Sequence, residues 1–312
     1  MILHTLPLLA LATVSIAAPI EQIPLGGDVH VLHGSLSSWA RAVKKRFIAD
    51  VEACAPSVRS NATDKSEACA QAAKWSIVMG NEAGDLDSLT SAIAWAFYLA
   101  HEDMADLKGK KGKHGDKKEE RPVVPLLQTE EDAIDLRPEN KLALREYGNM
   151  RRGHADILTI EELPLPPNEL APYIDSIYLV DHNRIRSDWG EAGAKAVKGV
   201  LDHHNDLGLY PDAKPRVVEA SGSCASLVVH EILGLWDKDD DDVTFKGECI
   251  NSVFAPFKVH PTDIPAELAD LLLAVIALDT DDFHRGNGHD LRASQAVWRW
   301  SSFCGGSEDR EE

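Results

Sequence analysis

The chain is short of positive charge. Its 32 lysines and arginines face 51 aspartates and glutamates, for a formal net charge of -19 at pH 7. That balance argues against holding nucleic acid or an anionic membrane through bulk charge. A polyanionic substrate would therefore need cations supplied locally, and metal ions would do that. Long apolar runs are also lacking: after residue 18 nothing reaches the length of a membrane span. Cysteine is sparse, and the five present (Cys54, Cys69, Cys224, Cys249 and Cys304) form no closely spaced pair of the kind that builds a structural zinc site. Their odd number leaves at least one thiol free.

What is present begins with an apolar run from Ile2 to Ile16, followed by small residues and Pro19. Residues 1–18 have the outline of a secretory signal, with Ser15 and Ala17 suited to the positions before a cut, although the leading segment carries only the α-amine and His4. A retained anchor or a plain N-terminal helix is the alternative. Cys54 and Cys69 bracket a polar loop that contains the glycosylation acceptor Asn61-Ala62-Thr63, and an oxidising compartment would let the two thiols pair. These features lead us to expect secretion or delivery to a vacuole, with no membrane attachment after cleavage; a cytoplasmic location is the alternative.

Helical spacing of Leu36, Trp39, Ala40, Val43, Phe47, Ile48 and Val51 predicts an amphipathic helix over 35–51. Ile77 to Met79 reads as a short buried strand, Gly80 to Gly84 as a tight turn, and Leu89, Ala92, Ile93, Ala96, Phe97 and Ala100 as the apolar stripe of a second helix. Further strands are expected at 123–127, 156–159, 174–180, 199–204 and 216–219, and helices at 142–150, 190–198, 223–236 and 266–278. Strands and helices alternate, which favours an α/β domain over 30–304 with a doubly wound, mainly parallel sheet whose ligands lie beyond the strand C-termini. Residues 107–120 form a basic low-complexity run read as a surface loop, and 305–312 a polar tail. In the acidic loop 237–242, Asp237, Asp239, Asp241 and Glu248 match a calcium-loop spacing, but Asp242 stands where the turn needs glycine, so a solvated loop is the default.

Four polar clusters follow these apolar lead-ins: Asn81/Asp85/Asp87, Asp181-His182-Asn183, Asp202-His203-His204 and Asp279-Thr280-Asp281. Singly, each carboxylate reads equally well as a helix cap. Together, in a doubly wound sheet, they can converge on one crevice. Carboxylates and imidazoles without paired thiols suit Mn²⁺, Mg²⁺ or Co²⁺.

The motifs Gly80-Asn-Glu-Ala-Gly-Asp-Leu-Asp-Ser88, Leu179-Val-Asp-His-Asn183, Gly199-Val-Leu-Asp-His-His204, Gly222-Ser-Cys-Ala225 and Leu278-Asp-Thr280 resemble those of the DHH phosphoesterases, in particular the exopolyphosphatase and prune-like branch. The resemblance implies a hydrolase of phosphoanhydride bonds that releases terminal phosphate from polyphosphate by means of water activated between two metal ions. Asp85 and Asp181 would hold one ion; Asp87, Asp181, His203 and Asp279 would hold the other, with Asp181 between them. His204 would contact the phosphoryl group or protonate the leaving group, and Asp202 would orient the imidazoles. Ser223, at a helix start, could receive a phosphate oxygen or simply cap the helix. Asn81 stands where related manganese pyrophosphatases have a ligating His. That points to the polyphosphatase side, as does the presence of both His203 and His204. A prune-like phosphodiesterase, a short-chain phosphatase and a non-enzymatic metal-binding protein remain as alternatives.

Members of this family carry a second domain, beyond the Asp279 motif, that grips the substrate. Here the sequence runs only to Glu312, so either Arg184, Arg186 and Arg285 stand in for that grip or the chain is a truncated form with weak activity, and self-association would cover surface that the second domain otherwise hides.

Overall fold

The computed structural model describes residues 35–60, 67, 69–109, 121–236 and 264–304. The signal-like stretch, Asn61, residues 110–120, the acidic loop and the polar tail lie outside them. Among the described residues, no helix is long and apolar enough to cross a membrane.

Six strands form one sheet: β1 (Ser76–Met79), β2 (Val123–Leu127), β3 (Leu158–Thr159), β4 (Ser176–Val180), β5 (Val197–Asp202) and β6 (Arg216–Val218), in the order β3-β2-β1-β4-β5-β6. Every pairing is parallel. The central strands β1, β2 and β4 are buried at every position, as a sheet covered on both faces requires. The chain winds outward from β1 in one direction and from β4 in the other. Right-handed crossovers then put the intervening helices on opposite faces, which makes the fold doubly wound.

Nine α-helices are described: α1 (Leu36–Arg59), α2 (Leu86–Gly109), α3 (Glu131–Ile134), α4 (Pro138–Glu146), α5 (Pro167–Leu170), α6 (Gly190–Ala196), α7 (Cys224–Leu233), α8 (Ala266–Asp279) and α9 (Gly288–Trp298). The sequence predicts α1 only to residue 51; the helix continues through Pro56 because Cys54, Ala55 and Val58 are buried as well. It begins at Ser35, whose hydroxyl accepts the Ser38 N–H at 3.3 Å. The helix expected at 142–150 lies at Pro138–Glu146 instead, with proline in its first turn, where no amide is needed. Leu107 to Gly109, read as the start of a loop, still belong to α2. Cys54 and Cys69 form a disulfide, Cys304 is also disulfide-bonded, and Cys224 is a free, buried thiol.

Candidate metal centre

The strand order reverses between β1 and β4, and the polar clusters sit there. The turn after β1 is fixed by Gly84, which has a φ of +53° and whose missing Cβ would lie 1.7 Å from Thr129 Oγ1. Only glycine fits. This turn delivers Asp85 to the start of α2, where its Oδ1 accepts the Ser88 N–H at 3.0 Å as a cap. Asp87 follows in the first turn of α2.

At the end of β4, Asp181 takes a left-handed backbone, φ +61°. Aspartate tolerates this region better than a β-branched residue would, at a cost of about 1–3 kcal/mol. Asn81 reaches across from β1 and donates its amide to Asp181 Oδ2 at 2.7 Å and to the Asp181 carbonyl at 3.2 Å. Its own Oδ1 accepts the Gly84 N–H at 3.1 Å.

At the end of β5, His203 Nδ1 lies 3.0 Å from the Ser221 carbonyl oxygen. A carbonyl only accepts, so Nδ1 carries the proton and Nε2 faces Asp181 Oδ1 at 3.0 Å and Asp87 Oδ2 at 3.8 Å. In the neutral ring this is one lone pair set against another. In that form Asp181 Oδ1, which is buried, has no hydrogen-bond donor; Asp279 Oδ2, at the end of α8, is also buried without one. A proton on His203 Nε2, or a metal cation, relieves the contact with Asp181.

The electrostatics agree. Burial, then Asp181 and Asp279, push Asp87 well above the usual carboxylate range. Burial raises Asp85 against the Ser88 N–H, and Asp181 raises it further. Asp279 is raised to about 6, by burial first and then, against the Ser223 hydroxyl, by Asp85 and Asp181. Burial pulls His203 down, yet Asp181, Asp87 and the Ser221 carbonyl outweigh it and hold the ring at about 9. Buried carboxylates that disfavour their own charge, gathered around an imidazole, are a donor set that suits a divalent cation. Candidate ligand atoms of Asp181, His203 and His204 lie within 4.8 Å of one another.

Asp202, fully buried, accepts from His204 Nδ1 at 2.8 Å and from the His204 N–H at 3.2 Å, which leaves His204 Nε2 free of that bond on a side chain 57% exposed. The other Asp202 oxygen accepts from Asn183, which also binds the Asn205 carbonyl and the Leu207 N–H. His182 points its Nδ1 at the Val180 carbonyl, and burial pulls the ring below the usual histidine range.

Residues 75–276 match the DHH family, N-terminal domain. The chain belongs to the DHH family. Among curated DHH relatives, it is 31% identical over 157 residues to a Schizosaccharomyces pombe protein provisionally named exopolyphosphatase, covering 50% of this chain and 36% of that one. It is 33% identical over 158 residues to exopolyphosphatase PRUNE1 of Rattus norvegicus, covering 50% and 30%. The aligned segment is thus about a third of those proteins' length. A solved Methanococcus jannaschii structure, provisionally titled a family II inorganic pyrophosphatase, aligns at 20% identity with a TM-score of 0.43, over 74% of this chain and 56% of that one.

Some expected roles of DHH-family residues look different in place. Asp87 Oδ1 accepts the Ser223 hydroxyl at 2.9 Å and the Ala225 N–H at 2.8 Å, and Oδ2 accepts the Cys224 N–H at 2.6 Å. Both oxygens of this carboxylate are therefore bonded to the start of α7, and Oδ2 also turns toward His203. Ser223 is fully buried, with its hydroxyl given to Asp87 and to the cap of α7. The helix start thus holds a carboxylate of the protein itself, and capping is the role that Ser223 displays. Arg186 lies over the ends of β1 and β2, bound to Asp188 and the Gln128 carbonyl and 3.8 Å from Glu82. Arg184 and Arg285 are exposed. Gln128, which the sequence reading passed over, ends β2 and donates to the Gly80 carbonyl at 2.6 Å; its place directly after an apolar strand was the available signal.

Proposed function

We propose that this DHH-family chain is a metal-dependent phosphoanhydride hydrolase that releases the terminal phosphate of inorganic polyphosphate. The observation that carries the reading is the approach of His203 Nε2 to Asp181 Oδ1 at 3.0 Å and to Asp87 Oδ2 at 3.8 Å at the sheet's switch point, with a His204 nitrogen also within ligand reach. Relatives named for exopolyphosphatase activity supply the substrate class.

Asp181, His203, Asp279, Asp85 and the Oδ2 of Asp87 would hold divalent cations, two per site, with Mn²⁺ the first candidate and Mg²⁺ or Co²⁺ next. Bound there, such ions supply Lewis acidity to water and to the phosphoryl group. The chain's own residues do the remaining work. Asn81 fixes the Asp181 carboxylate, and Ser221 fixes the tautomer of His203. In the reaction, the oxygen of water bonds to the terminal phosphorus as the bridging P–O bond breaks. His204, held at Nδ1 by Asp202, would relay through Nε2 the proton that the water gives up, delivering it to the departing oxygen. The Cys54–Cys69 disulfide supports an oxidising destination, either secreted or vacuolar.

Phosphate release with added Mn²⁺, measured on long polyphosphate, tripolyphosphate, pyrophosphate and cyclic AMP, tests the reading. Release from polyphosphate is expected, and Asp181→Ala or His203→Ala is expected to abolish it while circular dichroism stays unchanged. Full release in both variants would sink the proposal. Hydrolysis confined to pyrophosphate or cyclic AMP would reassign the substrate.

A further inference from the structure

We propose that Asp290, on α9, is a positioning residue that sets His203 and Asp87 for metal binding through the segment 221–226. Asp290 is fully buried and accepts five hydrogen bonds. Oδ1 takes the Ser221 hydroxyl at 2.8 Å, the Ser223 N–H at 3.2 Å and the Ser226 hydroxyl at 2.6 Å; Oδ2 takes the Gly222 N–H at 2.9 Å and the Asn287 N–H at 2.8 Å. Four of the five donors belong to one segment, and that segment carries both links to the metal centre.

The first link is the Ser221 carbonyl, which receives the Nδ1 proton of His203 and so decides which nitrogen of the ring is left as a ligand. The second is the start of α7, where Ser223, Cys224 and Ala225 hold the Asp87 carboxylate. Asp290 itself touches neither ligand. It grips the backbone between them, and the grip is tight: a Cβ on Gly222 would lie 2.9 Å from Asp290 Oδ2 and 2.6 Å from the methyl of Thr280, the residue after Asp279. Asn287, which caps α9, adds a bond to the Ala220 carbonyl at 2.8 Å. One buried carboxylate thus ties together the surroundings of three proposed ligands that come from three separate elements.

The inference rests on the metal reading above, and its test separates the two. In Asp290→Asn, the side chain keeps its shape and one acceptor, but its new N–H₂ meets backbone N–H donors. Mn²⁺ titration calorimetry on the full chain is expected to show affinity about 10- to 100-fold weaker than in the parent, the usual scale for loss of a group that orients a ligand. Urea unfolding follows the fold. Asp270→Asn is the control: Asp270 is another buried acceptor, bound to Ser302, nine residues before Asp279 on α8 and about 13 Å along its axis. It is expected to lower stability and leave Mn²⁺ affinity unchanged. Parental Mn²⁺ affinity in a folded Asp290→Asn, or equal weakening in Asp270→Asn, would overturn the positioning role. If Asp290→Asn does not fold, Ser221→Ala decides, with weaker Mn²⁺ binding supporting the role and unchanged binding overturning it. No Mn²⁺ binding by the parent chain would instead defeat the metal reading itself.

Discussion

Asn81 and Asp181 join the two halves of the sheet at the point where its order reverses. The Asn81 amide sits 2.7 Å from Asp181 Oδ2 and also meets the Asp181 carbonyl, so one short side chain holds both the carboxylate and the left-handed backbone of its neighbour.

Removing that bridge has a cost that can be measured. Asn81→Ala leaves Asp181 Oδ2 and the Gly84 N–H without their partner and is expected to destabilise the metal-free chain by about 1–3 kcal/mol in urea unfolding. Asn81→Asp places a second carboxylate against the first and is expected to cost more in chelator and to recover with Mn²⁺. An Asn81→Ala curve superimposing on the parent would show that the bridge contributes nothing.

The charge pattern sets a pH dependence. Asp279, raised to about 6, favours the metal-free fold while protonated; that contribution is complete below its ordinary value near 3.8 and is lost as pH rises through about 6. His203, raised to about 9, contributes fully below its ordinary 6.5 and loses that contribution as pH rises through about 9. Metal binding requires those same protons to leave, so Mn²⁺ stabilisation should grow with pH. Thermal melts with and without Mn²⁺ are expected to diverge steadily between about pH 5.5 and 9. A gap independent of pH would mean that these groups do not meet the ion.

His204 and His203 are adjacent yet assigned different work. His204→Ala is expected to lower kcat on polyphosphate by about 10²–10⁴-fold with Mn²⁺ affinity nearly kept, because its Nδ1 is given to Asp202 and its Nε2 is left for the proton. His203→Ala should lose the metal. Equal loss of Mn²⁺ affinity in both variants would make His204 a ligand instead of an acid.

The Cys54–Cys69 bridge closes a loop with a sequence separation of 15. A loop of that length is worth about 3 kcal/mol, so the double serine variant is expected to unfold at correspondingly lower urea. Reductant should bring the parent down to the same curve, and a parent unaffected by reductant would contradict it.

The sequence made the strands readable where an apolar run ended abruptly in polar residues: β2 falls at 123–127 as expected, and Asp181, Asp202 and His203 stand at the ends of β4 and β5. Periodicity also located α1, α2, α7 and α8. It missed α9, whose stripe is thin, although Asn287-Gly-His-Asp290 carries a capping box. Ends drifted where tertiary burial outweighed local preference, as in α1 beyond residue 51. In the site, residue types were legible but commitments were not. Nothing local to Asp87 reveals that its carboxylate closes the start of α7, because its partners lie some 137 positions away. The five donors on Asp290 were hidden for the same reason, since four of them come from a segment more than 60 positions earlier.

The proposed ligands at the switch point come from the ends of β1, β4, β5 and α8, stretches that an unfolded chain keeps far apart. A cation held there would bind the assembled sheet and hardly at all its pieces. Metal concentration would then act as a dial on the whole fold, adding about 2.7 kcal/mol of stability at a hundred times the dissociation constant. Under the proposed reading, the local concentration of the metal would govern how long the molecule survives as well as how fast it works.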